Sequence, residues 1–424
     1  MQGVTRCSRV WVVILAILVS VPGIVGTPGY AAVGGPTPVL EKGKPVDWWF
    51  VFKFNAHAFP GCGGEGDQQR ECPFGGTVQA YPVFSQQFVY ASSENPKLQK
   101  GSGCVGETSR DPVGATFDAV YTDPAVSYLI WNDQFYQDPQ ISGCGDSCGS
   151  PWGHSKGMLA WNAAGEGLVL QVTTPSWPAA GSTLKPRQHD GNSLGCIKDN
   201  DVKVSQHFFA LKLSKADLVT VLKALRNASV VTDPANSQIV RNGGPPDVQD
   251  LVQSLGTKSR STAVTREKLS SGVEVISKPS GLHVPPWQMV SALLGHVPLR
   301  TATWWTRPQI YSTTAASQIA CWDDRLGTPG PVEIALTGQW EGKTFGLTGG
   351  PGADFNHAKV GVSLLAGSPY AIFGDLNQQG AIAGNCASSQ NGRGGLFYVL
   401  NDEGLFDSLS HLLTGGKAET GPTK

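Results

Sequence analysis

Two short motifs carry residue types able to move protons and hold phosphate: Gly153-His154-Ser155-Lys156-Gly157 and Asn356-His357-Ala358-Lys359-Val360. In an extended segment alternate side chains share a face, so the histidine and lysine of each motif project together. A lone His-x-Lys arises readily by chance and ordinarily decorates a solvated strand. Two copies, about half a chain length apart among only eight histidines, ask for a common explanation. Phosphodiester hydrolysis needs a nucleophile or activated water, an acid for the departing alkoxide, and cations on the non-bridging oxygens. Two imidazoles and two ammonium groups meeting at one place provide all of these. A neutral histidine attacks phosphorus and forms a phosphohistidine. The other, protonated, donates to the leaving oxygen and then acts as base on the water that completes hydrolysis. No cofactor is needed, and no carboxylate cluster suited to Mg²⁺ is evident.

A third element is Phe373-Gly374-Asp375-Leu376-Asn377-Gln378. Its i, i+2 spacing puts Asp375 and Asn377 on one side. There a carboxylate can fix the tautomer of a catalytic histidine, and an amide can donate to a phosphate oxygen. The bland alternative is a polar turn closed by an Asx hydrogen bond.

The elements that must position these groups are legible in part. The run 47–54 is dense in β-formers, 127–131 reads as a strand, and 156–161 with 167–173 reads as a hairpin around Asn162-Ala-Ala-Gly165. Ser214 is placed to cap a helix to about Asn227, with Leu218, Val221, Leu222 and Leu225 on one face. Residues 242–280 turn polar, either as a connection between halves or as a surface excursion. Beyond them a helix is expected near 287–294, strands at 301–305, 332–336, 359–365 and 370–373, and a helix at 404–413. Each half thus shows an aromatic strand (Trp48-Trp49, Trp304-Trp305), then a His-x-Lys, then a second strand. A duplicated unit packed as a pseudo-dimer is the economical reading. The four tryptophans could stack bases, but strand periodicity favours packing.

The composition bounds the class. With 53 Gly, 29 Pro and 12 Trp but 15% charged residues, the chain suits a β-containing protein with long ordered loops. A formal net charge of −1 excludes a bulk positive field, so cations for a polyanion must be gathered in a cleft. Arg6 and Arg9, an apolar run over 10–19, Pro22-Gly23 and the small residues to Ala32 follow the order of a secretory signal peptide. Cleavage is expected near 26–32. A membrane anchor would need roughly 20 apolar residues, and this run is shorter. Cleavage removes Cys7 and leaves eight cysteines, an even number that reads as a disulfide set in an exported protein. Cys321–Cys386 is the simplest pair for the C-terminal half. Zinc at Cys144-Gly-Asp-Ser-Cys148 is the competing reading, but no second compact pair matches it.

Taken as an ordered set, Lys44-Pro-Val-Asp-Trp-Trp-Phe-Val-Phe-Lys53, Trp131-Asn-Asp-Gln134, Gly153-His-Ser-Lys-Gly157, Thr174-Pro-Ser-Trp-Pro178, Leu194-Gly-Cys196, His357-Ala-Lys359 and Gly374-Asp-Leu-Asn377 resemble the deoxyribonuclease II family. The resemblance implies a phospholipase D-like, mixed α/β pseudo-dimer, with two central sheets flanked by helices and one active site between the halves. These would span 33–240 and 241–424, after a signal peptide at 1–32. It further implies a metal-independent endodeoxyribonuclease leaving 3′-phosphate and 5′-hydroxyl ends, favoured at acid pH. His154 would be the nucleophile, His357 the acid and base, Lys156 and Lys359 the phosphate-binding cations, with Asp375 and Asn377 in support. DNA is the expected partner, and the chain is expected to act as a monomeric pseudo-dimer or a homodimer. Its expected location is outside the cytoplasm, extracellular or periplasmic, or lysosomal in a eukaryote. Departures are a missing cysteine before the Asp-Trp segment, which in animal members bonds the one matching Cys196, and Asn162 where they tend to carry Asp. The loops at 61–76 and 143–149 look like local additions and fit a divergent, microbial member. Competing readings are a phospholipase D-type phosphodiesterase on another diester, and an inactive exported DNA-binding protein. Asn227-Ala-Ser229 is a glycosylation sequon that arises as easily by chance. The remaining histidines, 57, 189, 207, 283, 296 and 411, have no motif partner and default to structural or solvent-facing roles.

Overall fold

Aromatic and β-branched runs that cannot bury themselves alone must pair laterally, and here they do so twice. The computed structural model describes residues 34–63, 83–106, 109–137, 139–175, 202–305, 310–378, 386 and 390–421, and it is mixed α/β as expected. The first half contains β1 (Trp48–Lys53), β2 (Phe88–Ser92), β3 (Gln99–Lys100), α1 (Pro112–Tyr121), β4 (Ser127–Asn132), β5 (Lys156–Trp161), β6 (Gly167–Val172), β7 (Gln206–Leu213), α2 (Lys215–Ala228) and β8 (Val240–Arg241). Its strands form an eight-stranded sheet in the order β3-β2-β1-β7-β6-β5-β4-β8. The second half contains α3 (Pro246–Gln253), β9 (Thr265–Lys268), β10 (Glu274–Lys278), α4 (Pro286–Leu293), β11 (Leu299–Ala302), β12 (Val332–Ile334), the β13 (Thr337–Trp340) and β14 (Lys343–Gly346) hairpin, β15 (Val360–Ser363), β16 (Tyr370–Gly374), β17 (Gly395–Asn401) and α5 (Glu403–Leu412). A seven-stranded sheet runs β12-β11-β15-β16-β17-β10-β9.

The middle of each sheet has one order: β1-β7-β6-β5-β4 in the first and β10-β17-β16-β15-β11 in the second, antiparallel throughout. The sheets meet through aromatic side chains. Phe373 on β16 stacks on Phe50 at 4.7 Å and on Phe209 at 4.6 Å, and Phe209 also meets Tyr398 at 5.6 Å between ring centroids. Because the first sheet is covered on both faces, β1, β4, β5 and β6 are buried along their whole length and lack polar alternation. Trp48 and Trp49 are therefore both core residues.

Local chemistry sets the helix ends. Asp111 accepts from the Val113 and Gly114 amides at the start of α1, with Pro112 as its first residue. Ser214 and Asp217 form a capping box on α2, which buries Leu218, Val221, Leu222 and Leu225 and stops where Ser229 turns left-handed at φ 59°. Two expectations need correction. The polar stretch 242–280 is no mere connection: it supplies α3, β9 and the core strand β10. The strand expected at 301–305 ends at Ala302, so Trp304 and Trp305 lie outside it, and in strand order β1 corresponds to β10. The aromatic rhyme thus aligned the halves wrongly. Asn227 donates its side-chain amide to the Ala263 and Ser277 carbonyls and Ser229 is fully buried, so the sequon lies within packed structure.

Candidate active site

Each His-x-Lys enters a central strand, and each is held by backbone from the other sheet. The His154 amide donates to the Gly394 carbonyl at 2.8 Å, just before β17. The His357 amide donates to the Ser205 carbonyl at 2.7 Å, just before β7. Glycine is needed at the first crossing: a Cβ on Gly153 or Gly394 would lie 2.6 or 2.1 Å from the Ala228 carbonyl oxygen. Both motifs then line one cavity of about 200 Å³, together with Asp133, Gln134, Thr173, Trp304, Asn377, Gln390 and Arg393. All four histidines and lysines expected from sequence therefore converge.

The carboxylate that organises the first motif is Asp133. The β4–β5 register sets Asn132 opposite Lys156, so the residue following β4 reaches the motif. Asp133 Oδ2 takes His154 Nδ1 at 2.8 Å and Arg393 Nη2 at 2.8 Å, while Oδ1 takes Lys156 Nζ at 2.7 Å. Arg393 arrives from the second half and also donates to the Trp152, Cys148 and Gly153 carbonyls. Burial alone would raise Asp133, but His154, Lys156 and Arg393 hold it well below the usual carboxylate range. Two cations already balance this carboxylate. Burial, with Lys156 and Arg393 acting against the pull of Asp133, brings His154 down to about 3. A neutral His154 whose Nδ1–H donates to Asp133 keeps its lone pair on Nε2.

His357 sits differently. Its Nδ1 lies 3.4 Å from Gln206 Nε2, and Thr173 Oγ1 donates to Gln206 Oε1 at 2.7 Å, which turns the amide NH₂ toward the ring. Trp304 stands edge-on to it at 5.9 Å. Burial holds His357 well below the histidine range, reinforced by Lys359, Lys156, His154 and Lys53. Asn377 also lines the cavity, and its buried Oδ1 has no partner. An amide turned over there would offer its NH₂ to an anion.

Asp375 does not line the cavity. It accepts from Gln171 Nε2 at 2.9 Å, from the Leu396 amide at 2.8 Å and from Ser155, and burial raises it to about 6. Behind the cavity this makes a chain between the motifs: the Lys359 amide donates to His207 Nδ1, His207 meets Gln171, and Gln171 reaches Asp375 beside Ser155. Asp375 thus lies in the interior rather than in the cavity, and the carboxylate on a site histidine is Asp133. Asn162 is a turn residue: its side chain accepts from the Ala164 and Glu166 amides. Cys321–Cys386 is bonded as expected, Cys62 pairs with Cys104, and Cys144 with Cys148, which removes the zinc reading there. The signal peptide, Cys72, His189, the Leu194–Cys196 motif and residues 176–178 of another motif lie outside the described residues.

These buried histidines have a consequence for stability. His154, His207 and His357 are all held below their unfolded value by burial first, so below about pH 6.5 the unfolded chain takes up protons that the folded one refuses. Stability is then lost on acidification, up to about 1.4 kcal/mol per histidine per pH unit. Asp375 works in the opposite sense below about 6, but it is one group against three. Thermal melts are expected to show a lower Tm at pH 5 than at pH 7.5. A Tm flat or rising on acidification would contradict this arrangement of charges.

Comparison with known proteins gives one family. The sequence model of deoxyribonuclease II matches residues 37–309. Deoxyribonuclease-2-alpha of Mus musculus is 28% identical over 225 residues, 47% of this chain and 55% of the relative. The same enzyme of Rattus norvegicus is 28% identical over 145 residues, 34% of each chain, and that of Sus scrofa 26% over 155 residues, 36% of each. The chain therefore spans about half the length, or less, of the curated relatives it matches.

Proposed function

Since the chain belongs to the deoxyribonuclease II family, we propose that it hydrolyses DNA phosphodiesters at the cavity shared by its two His-x-Lys motifs. The observation that carries this reading is the convergence of His154, Lys156, His357 and Lys359 on one cavity. The repeated five-strand order supports two phospholipase D-like halves related as a pseudo-dimer, dividing near residue 241 where β8 closes the first sheet.

In this mechanism His154 Nε2 attacks phosphorus and the P–O5′ bond breaks. Protonated His357 gives its Nε2 proton to the departing O5′, which leaves as a 5′-hydroxyl. Its Nδ1–H is accepted by a Gln206 amide turned over to present Oε1, with Thr173 Oγ1 donating to the His207 carbonyl instead. Neutral His357 then takes a proton from water, the water oxygen attacks phosphorus, and the P–Nε2 bond breaks to leave a 3′-phosphate. Lys156, Lys359 and the Asn377 amide bear on the non-bridging oxygens, so the negative charge is met by protein groups without a divalent ion. Asp133 supports His154 as nucleophile, because a carboxylate can only accept from Nδ1.

The same charges favour acid pH. The reaction needs His357 protonated, and burial first, then the surrounding cations, hold it well below 6.5. The rate constant kcat/KM is therefore expected to rise as pH falls below 6.5. Plasmid cleavage in excess EDTA from pH 4 to 8, with end-group analysis, tests the reading. Cleavage that survives chelation, strengthens toward acid and leaves 3′-phosphates supports it; strict Mg²⁺ dependence or 5′-phosphate ends would sink it. The three disulfides among the described residues support an oxidising location outside the cytoplasm.

A further inference from the structure

Two lysines that the mechanism does not use lie fully buried, Lys53 at the end of β1 and Lys278 at the end of β10. Their places match. Lys53 stands opposite Gln206, the residue after the carbonyl that holds His357. Lys278 stands opposite Gly395, the residue after the carbonyl that holds His154. Each ammonium reaches the carbonyl of the next residue, Phe54 at 3.2 Å and Pro279 at 3.5 Å, and then carbonyls of a neighbouring segment. Lys278 donates to Asn391 and Arg393, both at 2.8 Å, and so pins the segment that delivers Arg393 to Asp133 and Gly394 to His154. Lys53 donates to Ser85 at 3.0 Å, whose own amide is bonded to the Val202 carbonyl three residues before Ser205.

We propose that Lys53 and Lys278 are a matched pair of positioning residues, each fixing from beneath the backbone that clamps the histidine of the opposite half. A buried lysine is costly, since desolvation disfavours its charge; burial brings Lys278 down to about 7. An apolar side chain would fill the same space at lower cost but would leave inward-facing carbonyls without donors. What the ammonium adds is a set of donors converging on several carbonyls, which locks those segments in register. Lys53 adds a second effect: its charge is among those that hold His357 down.

The test is Lys278→Met and Lys53→Met, made singly, with kcat and KM on DNA over the full pH range. Displacement of the Arg393 segment in Lys278→Met is expected to lower kcat by about 100-fold with KM changed far less, the scale of a 1 Å misplacement. Lys53→Met is expected to move the alkaline limb of kcat/KM to higher pH by about one unit, because a like charge near His357 is gone. Lys278→Gln and Lys53→Gln keep at most two donors, on a shorter stem and without charge, so the same effects at smaller size are expected in them, and they are read if the Met forms do not fold. Parental kcat, KM and pH limb in the folded variants, with only Tm reduced, would overturn the proposal and leave both lysines as structural plugs. The inference rests on the two-histidine reading above. An inactive parent protein would remove that reading, whereas an active parent with indifferent variants removes only this one. NMR titration of the His357 ring in parent and Lys53→Met reads the charge effect without turnover. A pKa that rises supports the pairing, and an unmoved one overturns it.

Discussion

Alanine at His154 or at His357 is expected to lower kcat by about 10³-fold or more, each alone, with the protein still folded. Equal severity is expected because both rings line one cavity and, in the proposed mechanism, act on one phosphorus, one as nucleophile and one as proton donor. Removing either leaves no complete path, so the double variant should be hardly worse than the worse single one. Folding should survive at the first site because Asp133 keeps Lys156 and Arg393 when His154 is gone. Circular dichroism and single-turnover kinetics on the same preparations check both parts. Parental activity in either variant would separate the motifs and dissolve the composite site.

The second large effect is expected at Asp133. Its side chain is fully buried and takes three donors, two of them cations from different halves of the chain. Asp133→Ala leaves Lys156 and Arg393 without their counter-charge, and the loss is expected to be about 3–5 kcal/mol in urea denaturation. Asp133→Asn is the more informative change. Its amide has one acceptor oxygen where the carboxylate has two, so its NH₂ must face His154, Lys156 or Arg393. Facing His154, it would drive the ring hydrogen from Nδ1 to Nε2 and occupy the attacking lone pair. A kcat lowered by about 10²–10⁴-fold, with smaller destabilisation than for alanine, is the expected pattern. Comparable activity in Asp133→Asn and the parent would mean that the tautomer of His154 does not matter to the rate-limiting step.

How far the sequence foretold this arrangement depended on whether the signal was local. The hairpin at 156–172, the capped helix after Ser214 and the Cys321–Cys386 bond each follow from neighbouring residues or simple pairing, and the structure has them. The two motifs were legible because an identical spacing recurs. Asp133 stood in the quoted Trp131–Gln134 tetrad, but its role depends on the β4–β5 register, which periodicity alone leaves open. Arg393 carried no signal, since it acts across the chain from a segment 260 residues distant from Asp133. β10 was hidden by polar neighbours and by a lysine at its end that reads as solvent-facing until its burial is seen. Asp375 was placed beside the chemistry by its i, i+2 spacing with Asn377, yet β16 ends at Gly374 and the strand rule no longer applies beyond it.

The central claim is that one histidine attacks phosphorus and the other handles the protons. Trapping the intermediate tests it directly. DNA labelled at internal phosphates would be mixed with excess His357→Ala protein and quenched in alkali, where phosphohistidine persists, and the digested peptides mapped. The account predicts label on the peptide carrying His154, attached through a 3′-phosphate, and none in His154→Ala. Label on His357 in the parent protein, or cleavage at the parental rate with no protein-bound phosphate, would contradict it.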